Sequence, residues 1–308
     1  QSERNIQQQS SSENCKDEPI TFGVSPLRLE DIGYIEPMGA MRNEHVTPTD
    51  HQYWRPPPWS EDPRPRDVFA PADGMIKKIE RLYFQPDPNA PPIATDYRLE
   101  IEHSCTVSTV FIHITELSPN IKEKIVDEPA TGHYYRAVRI PVSEGEILGT
   151  IYGKGGIKDI YQIDFNVVNK EIELNFVNPS SYEGEPWKIH IDEPLKYFSK
   201  ELLLQLLAKN LRSIEPLGGK IDYDIDGRLV GNWFKEGTGG YSSNNPDRYW
   251  LGHLTFAYNN VDPEHIMVSI GDFEGKTGQF GVKGNKPDPA DVSVATGQLK
   301  YELVRFDY

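Results

Sequence analysis

The sequence predicts a mainly β protein in which two β-rich domains are joined by one helix. Short stretches rich in β-branched and aromatic residues recur along the chain, each bounded by Gly, Pro, Asn or Asp. The 308 residues include 25 Gly, 25 Pro and 16 Tyr, a usage suited to many short strands linked by turns. Only one segment, residues 199–212, carries a clear helical stripe. This length accommodates two domains of ordinary size or one large all-β domain. The position of the helix favours two. The expected division is a disordered leader (1–18), a first antiparallel β domain (19–195), a linking helix (196–216) and a C-terminal small β-sandwich or barrel (217–308).

The leader is a polar Gln/Ser/Asn/Glu tract without periodicity. Its start at Gln1 reads as a mature terminus after loss of a secretory signal, although a chain cut elsewhere would look the same. The expected location is therefore extracellular or at the cell surface. Cys15 and Cys105 are the two cysteines, too few for a thiolate metal site. They can pair, pinning the leader to the body, or stay apart. Residues 51–65 hold Trp54, Trp59 and three consecutive prolines, which predict a stiff surface loop. Its tryptophans form a binding surface or lie on the body beneath.

Strands are expected at 75–84, 97–103, 108–114, 134–139, 149–152, 161–168 and 171–176. The last two form a hairpin candidate with its turn near Asn169-Lys170. In the helix, Ser199 is placed to cap and Leu202, Leu203, Leu206, Leu207 and Leu211 share a face. Pro216 follows its end. Beyond it, residues 220–225 alternate strictly and Asp226-Gly227 gives the strongest hairpin signal in the chain, leading into 228–234. Further strands are expected at 249–258, 266–270, 278–282 and 298–304.

Charge and hydropathy exclude two function classes. With 32 Lys plus Arg against 47 Asp plus Glu, the net charge is −15 and no basic cluster stands out. Such a surface repels phosphate backbones, so no nucleic acid partner is expected. No apolar run approaches the roughly 18 residues of a membrane span.

Four motifs follow one another in order. They are Asp67-Val-Phe-Ala-Pro-Ala-Asp-Gly-Met-Ile76, a strand pair carrying His103 and His113, Val142-Ser-Glu-Gly-Glu-Ile-Leu-Gly149, and Tyr161-Gln-Ile-Asp-Phe-Asn-Val167. Over about residues 40–170 this order resembles the lysostaphin/LytM-like zinc endopeptidases, which share an antiparallel β fold also called a duplicated hybrid motif. That family reads roughly V-x-A-P-x-D-G-x-V, I-x-H-G, T-x-Y-x-H, G-x-x-I-G and H-x-H-F. Thr109, Phe111 and His113 fall on the third pattern, with His103 ten residues earlier.

The resemblance implies a zinc held by an early H-x-x-x-D and the second His of H-x-H, with the remaining histidines assisting. Here Gln162 and Asp164 stand where the H-x-H pair belongs. Gln162 cannot accept and return a proton at neutral pH. Asp164 can still ligate through oxygen. The early motif falls on His45-Val-Thr-Pro-Thr-Asp50, one residue longer than the family spacing, with His51 beside it. The implied metal set is then His45, Asp50 or His51, and Asp164, with His113 and His103 as the catalytic histidines. An oxygen-richer set suits a harder ion.

Three further features compete for a role. Asp222, Asp224 and Asp226 match the first half of a calcium loop, but its twelfth position is Trp233 rather than Glu. A solvated strand face explains them as well. Cys105 lies near His103 and admits a Cys–His pair or plain packing. Tyr241, Tyr249 and Trp250 offer ring faces for a sugar or for a core.

Two functional readings result. The first is a secreted or cell-surface, non-catalytic binding or scaffold protein, without cofactor, whose cleft takes a peptide, glycan or cell-envelope ligand. The second is a divergent metal-dependent endopeptidase using zinc on His45, Asp50 and Asp164, with His113 stabilising the tetrahedral intermediate.

Overall fold

The computed structural model describes residues 19–58, 61, 64–82, 96–125, 134–151, 161–243 and 245–306. The N-terminal part contains strands β1 (Tyr34–Glu36), β2 (Gln52–Arg55), β3 (Arg66–Phe69), β4 (Gly74–Leu82), β5 (Asp96–Glu102), β6 (Val107–Ile114), β7 (Glu116–Leu117), β8 (Tyr134–Val142), β9 (Ile147–Ile151), β10 (Ile163–Asn169) and β11 (Ile191–Asp192). A large antiparallel sheet runs β1-β2-β10-β6-β5-β4-β8, with β11 added to β10, and a small one runs β3-β9-β7. Alternation builds the large sheet: in β5, Tyr97, Leu99 and Ile101 are buried while Arg98, Glu100 and Glu102 are more exposed. Leu99, Ile101, Phe111 and Phe165 share one core with Val68, Leu148 and Ile151 of the small sheet.

The helix α2 (Lys200–Leu207), which follows the single turn α1 (Pro119–Lys122), packs into the same core through Leu206. Ser199 caps it as expected, its Oγ accepting the Leu202 N–H at 3.4 Å. It ends five residues before the expected boundary because the chain turns to cover the edge of β1. Ile35 N–H donates to Lys209 O (2.8 Å) and Leu211 N–H donates to Ile35 O (2.9 Å).

The C-terminal part is a meander of β12 (Gly231–Phe234), β13 (His253–Tyr258), β14 (Ile266–Phe273), β15 (Lys276–Val282) and β16 (Leu303–Arg305). It is an open five-stranded sheet rather than the expected sandwich or barrel. Its second layer comes from the N-terminal part. Ala257 and Met267 pack with Met41, Asn260 Nδ2 donates to Pro37 O (2.9 Å), and Gln279 Nε2 donates to Asn43 O (3.0 Å). Among the described residues no helix is long and apolar enough to cross a membrane.

Several expected elements differ. Residues 52–55 form an inner strand, not a surface loop: Trp54 is fully buried, and Trp59 lies outside the described residues. The hairpin at 164–176 stops at its turn, where Ile172 N–H donates to Asn169 O (2.9 Å), and β11 takes the place of the return strand. Asp226-Gly227 does turn, with φ +73° at Gly227, but residues 220–225 join no ladder. Asp224 instead clamps two backbone N–H groups, those of Val177 (3.0 Å) and Asn232 (2.8 Å), which leaves no calcium loop. Tyr249 and Trp250 sit in a 3-10 segment ahead of β13. Cys105 lies in the turn between β5 and β6 and is disulfide-bonded, so it is no nucleophile. Cys15 lies outside the described residues.

Candidate functional site

Strand β10 is buried on both faces, and the two faces differ in chemistry. Ile163, Phe165 and Val167 enter the apolar core. Asp164 and Asn166 alternate with them and point the other way, into a polar cleft. In register beside Asp164 lie Tyr53 of β2 and Ile112 of β6. Two histidines therefore flank it: His51, just ahead of β2, and His113, near the end of β6.

Strict alternation would send the His113 ring into the core with Phe111. A bulge prevents this. Tyr97 pairs with Ile114 while Leu99 pairs with Phe111, so one residue of β5 faces two of β6. His113 adopts φ +77°, a left-handed conformation that costs a non-glycine residue about 1–2 kcal/mol. The ring then meets two carboxylates: its Nδ1–H donates to Asp96 Oδ2 at 2.8 Å, and its Nε2 lies 3.2 Å from Asp164 Oδ2.

A chain of contacts between acidic and basic side chains results. Lys188 Nζ lies 3.2 Å from Asp50 Oδ2, and Asp50 Oδ1 lies 2.9 Å from His51 Nδ1. His51 Nε2 lies 3.3 Å from Asp164 Oδ2, which in turn meets His113. Trp187 Nε1–H donates to Asp50 at 2.9 Å, and Gln162 Nε2–H donates to Asp164 Oδ1 at 2.6 Å.

The electrostatics follow from this arrangement. Burial alone would strip the proton from His113, but the Asp164 and Asp96 carboxylates outweigh it and raise the ring to about 10. Burial opposes ionisation of Asp164 too, yet His113 and His51 hold its carboxyl below the usual range. Asp50 is likewise held well down against its burial, chiefly by Lys188, whose own ammonium is stabilised by Asp50. His45 behaves differently. Burial, then His51 and Lys188, lower it to about 3, so its ring is neutral.

Of the residues singled out from sequence, His45, Asp50, Asp164 and His113 come to this cleft. The His45 ring centre is 5.6 Å from that of His51, edge to face. His51 stands between Asp50 and Asp164 as a bridge. His103 does not join them, which corrects its expected catalytic placement. It lies on the core side, with Nδ1 2.8 Å from Asp73 O, Nε2 2.8 Å from Thr109 Oγ1, and its ring against Phe22. Asp96, Trp187 and Lys188 were missed. Lys188 and Trp187 carry no motif and arrive only through the fold. Asp96 is signalled weakly, as the first residue of a strand paired with the end of β6.

This donor set does not fit a hydrolytic zinc. Such a metal needs deprotonated ligands and an open position for water. His113 is an imidazolium with no lone pair to offer. Asp164 already accepts from Gln162 and is paired with His113, and Asp50 is paired with the Lys188 ammonium. Among the described residues no three His, Cys, Asp or Glu side chains converge to hold a metal.

The C-terminal part roofs the cleft. Lys188 Nζ lies 4.9 Å from the Tyr241 ring centre, and the Thr47 hydroxyl hydrogen-bonds the Tyr241 hydroxyl. Between roof and sheet is a cavity of about 140 Å³ whose lining includes His45, Asn166, Tyr249 and His253.

No protein-family model matches the chain, and no curated protein matches it. Several solved structures show slight similarity, and two illustrate it. One is a SpoIIQ–SpoIIIAH pore-forming complex, at TM-score 0.35 and 13% identity, covering 59% of this chain and 94% of that one. The other is a zinc-containing peptidase from Vibrio cholerae, at TM-score 0.30 and 15% identity, covering 49% of this chain and 37% of that one.

Proposed function

We propose that the chain is a non-catalytic binding or scaffold protein of the extracellular space or cell surface, built on a β domain resembling the lysostaphin/LytM-like peptidases. One observation carries this reading: the cleft supplies its own cations. The His113 imidazolium and the Lys188 ammonium occupy the partners that a catalytic metal would need at Asp164 and Asp50. Gln162, where a proton-transfer group would be required, spends its amide on Asp164. The disulfide at Cys105 supports an oxidising compartment. The cleft and its aromatic roof favour a peptide, glycan or cell-envelope ligand over a reaction.

The divergent endopeptidase remains the competing reading, with zinc on His45, Asp50 and Asp164. Elemental analysis separates the two. The purified protein is incubated with excess zinc, dialysed and assayed for metal beside His45→Ala. We expect no stoichiometric metal in either. One equivalent of zinc in the wild type, lost in His45→Ala, would overturn the binding reading and restore the peptidase.

A further inference from the structure

Five residues lining the cavity beneath the aromatic roof carry a buried side-chain atom without a hydrogen-bond partner: Thr49 and His51 beside the charged chain, and Arg98, Asn166 and His253. Asn166 Oδ1 and His253 Nε2 are buried without a hydrogen-bond partner, each side chain belonging to a residue 3% exposed. Arg98 contributes a buried Nε–H that is also unpaired and lines the same space. Buried polar atoms are nearly always bonded, because an unmet donor or acceptor loses its water without compensation. Such a set around one cavity describes a binding site, and the last three residues define its chemistry.

Their chemistry defines what would fill it. His253 is held neutral, at about 4, by burial and in spite of a backbone hydrogen bond at Gly240. Its free Nε2 is then an acceptor, as is Asn166 Oδ1. Arg98 Nε–H is a donor. Lys188 is already spent, 3.2 Å from Asp50 and 3.1 Å from Glu185. The Arg98 guanidinium, 4.8 Å from the Trp187 ring centre, would attract an anion, but a carboxylate has no N–H for the Asn166 and His253 acceptors and would set its oxygens against them. A cavity of about 140 Å³ also limits size, since a comparable one of about 150 Å³ accommodates benzene.

We propose that this cavity binds a neutral primary carboxamide, its two N–H groups donating to Asn166 Oδ1 and His253 Nε2 and its carbonyl accepting from Arg98 Nε–H. Trp187, Tyr241 and Tyr249 provide apolar walls for a short alkyl stem. The group could arrive as a small amide or as the side chain of a glutamine or asparagine in a peptide. The proposal extends the binding reading of the cleft, and the metal experiment judges that reading independently.

The test uses the full chain, nitrogen-15 labelled, with propionamide as probe and the Trp187 indole N–H as reporter. Propionate and N,N-dimethylpropionamide serve as controls, the first charged and the second without donors. Propionamide should shift the Trp187 signal saturably, with a dissociation constant on the order of millimolar for so small a ligand, and the controls should not. His253→Phe and Asn166→Leu should each weaken binding roughly tenfold. Where either variant fails to fold, His253→Gln and Asn166→Ser replace it with the same expectation of weaker binding. A short glutamine-bearing peptide that competes with propionamide identifies a peptide source, and failure to compete identifies the free amide. No shift at saturating propionamide, or equal binding of the controls, would overturn the proposal and leave a cavity for water only.

Discussion

His103 and His113 stand ten residues apart, both pack against the same sheet, and matched the same family pattern, yet they have opposite chemistry. His103 meets a carbonyl and a hydroxyl, and burial lowers its proton affinity, leaving it neutral. His113 meets two carboxylates, which raise it to about 10. Residue type and spacing therefore do not fix what a buried histidine does. The face of the sheet onto which it turns decides, and for His113 that face is chosen by one bulge.

The largest effect expected from breaking this contrast comes from Asp164. Asp164→Ala would leave a buried imidazolium short of a counter-charge and should destabilise the fold by about 3–5 kcal/mol, read from urea unfolding. His103→Ala removes only neutral hydrogen bonds and packing, and should cost less, about 1–3 kcal/mol. An equal loss in the two variants would dissolve the distinction.

The pH dependence should separate the pair by sign. His113 has a folded value above its unfolded one near 6.5, so its contribution is fully present below about 6.5 and is lost as pH rises toward 10. His103, like His45 and His253, has a lowered folded value. The unfolded chain then binds the extra proton, and stability falls as pH drops below about 6.5. Stability measured against pH should peak near neutrality. His113→Gln should flatten the alkaline limb, and His103→Gln should soften the acid one.

Smaller effects sharpen the same point at the other end of the charge chain. Lys188→Met should cost about 1–3 kcal/mol by stranding Asp50, and adding Asp50→Asn should recover part of it in a double-mutant cycle. By contrast, Lys283 and Glu302 form a close pair at 2.6 Å with both side chains 63% exposed. Lys283→Ala should change stability by less than about 1 kcal/mol.

Most strands of the large sheet were legible because alternation and turn residues act locally. Residues 97–103 and 108–114 predicted β5 and β6 to within a residue. Strand β2 was hidden by the prolines that follow it, which signal a loop while Trp54 is drawn into the core. Residues 171–176 and 220–225 have strand-like patterns but lost their ladders to distant partners, β11 and the Asp224 clamp. The site was half legible. Motif order pointed to Asp164 and His113, and His51 stood as an alternative to Asp50. The bulge at His113, the Asp96 partner and the Lys188 counter-charge depend on register and long-range packing, which no local pattern records.

The central claim is that His113 is a permanent cation inside a cleft that neutralises itself. The direct measurement is a nuclear magnetic resonance titration of the His113 ring, assigned by comparison with His113→Gln. The account predicts a doubly protonated imidazolium at pH 7.5, losing its proton only as pH approaches about 10. A ring already neutral at pH 7.5, titrating near the ordinary 6.5, would contradict it and return His113 to the pool of metal ligands and bases.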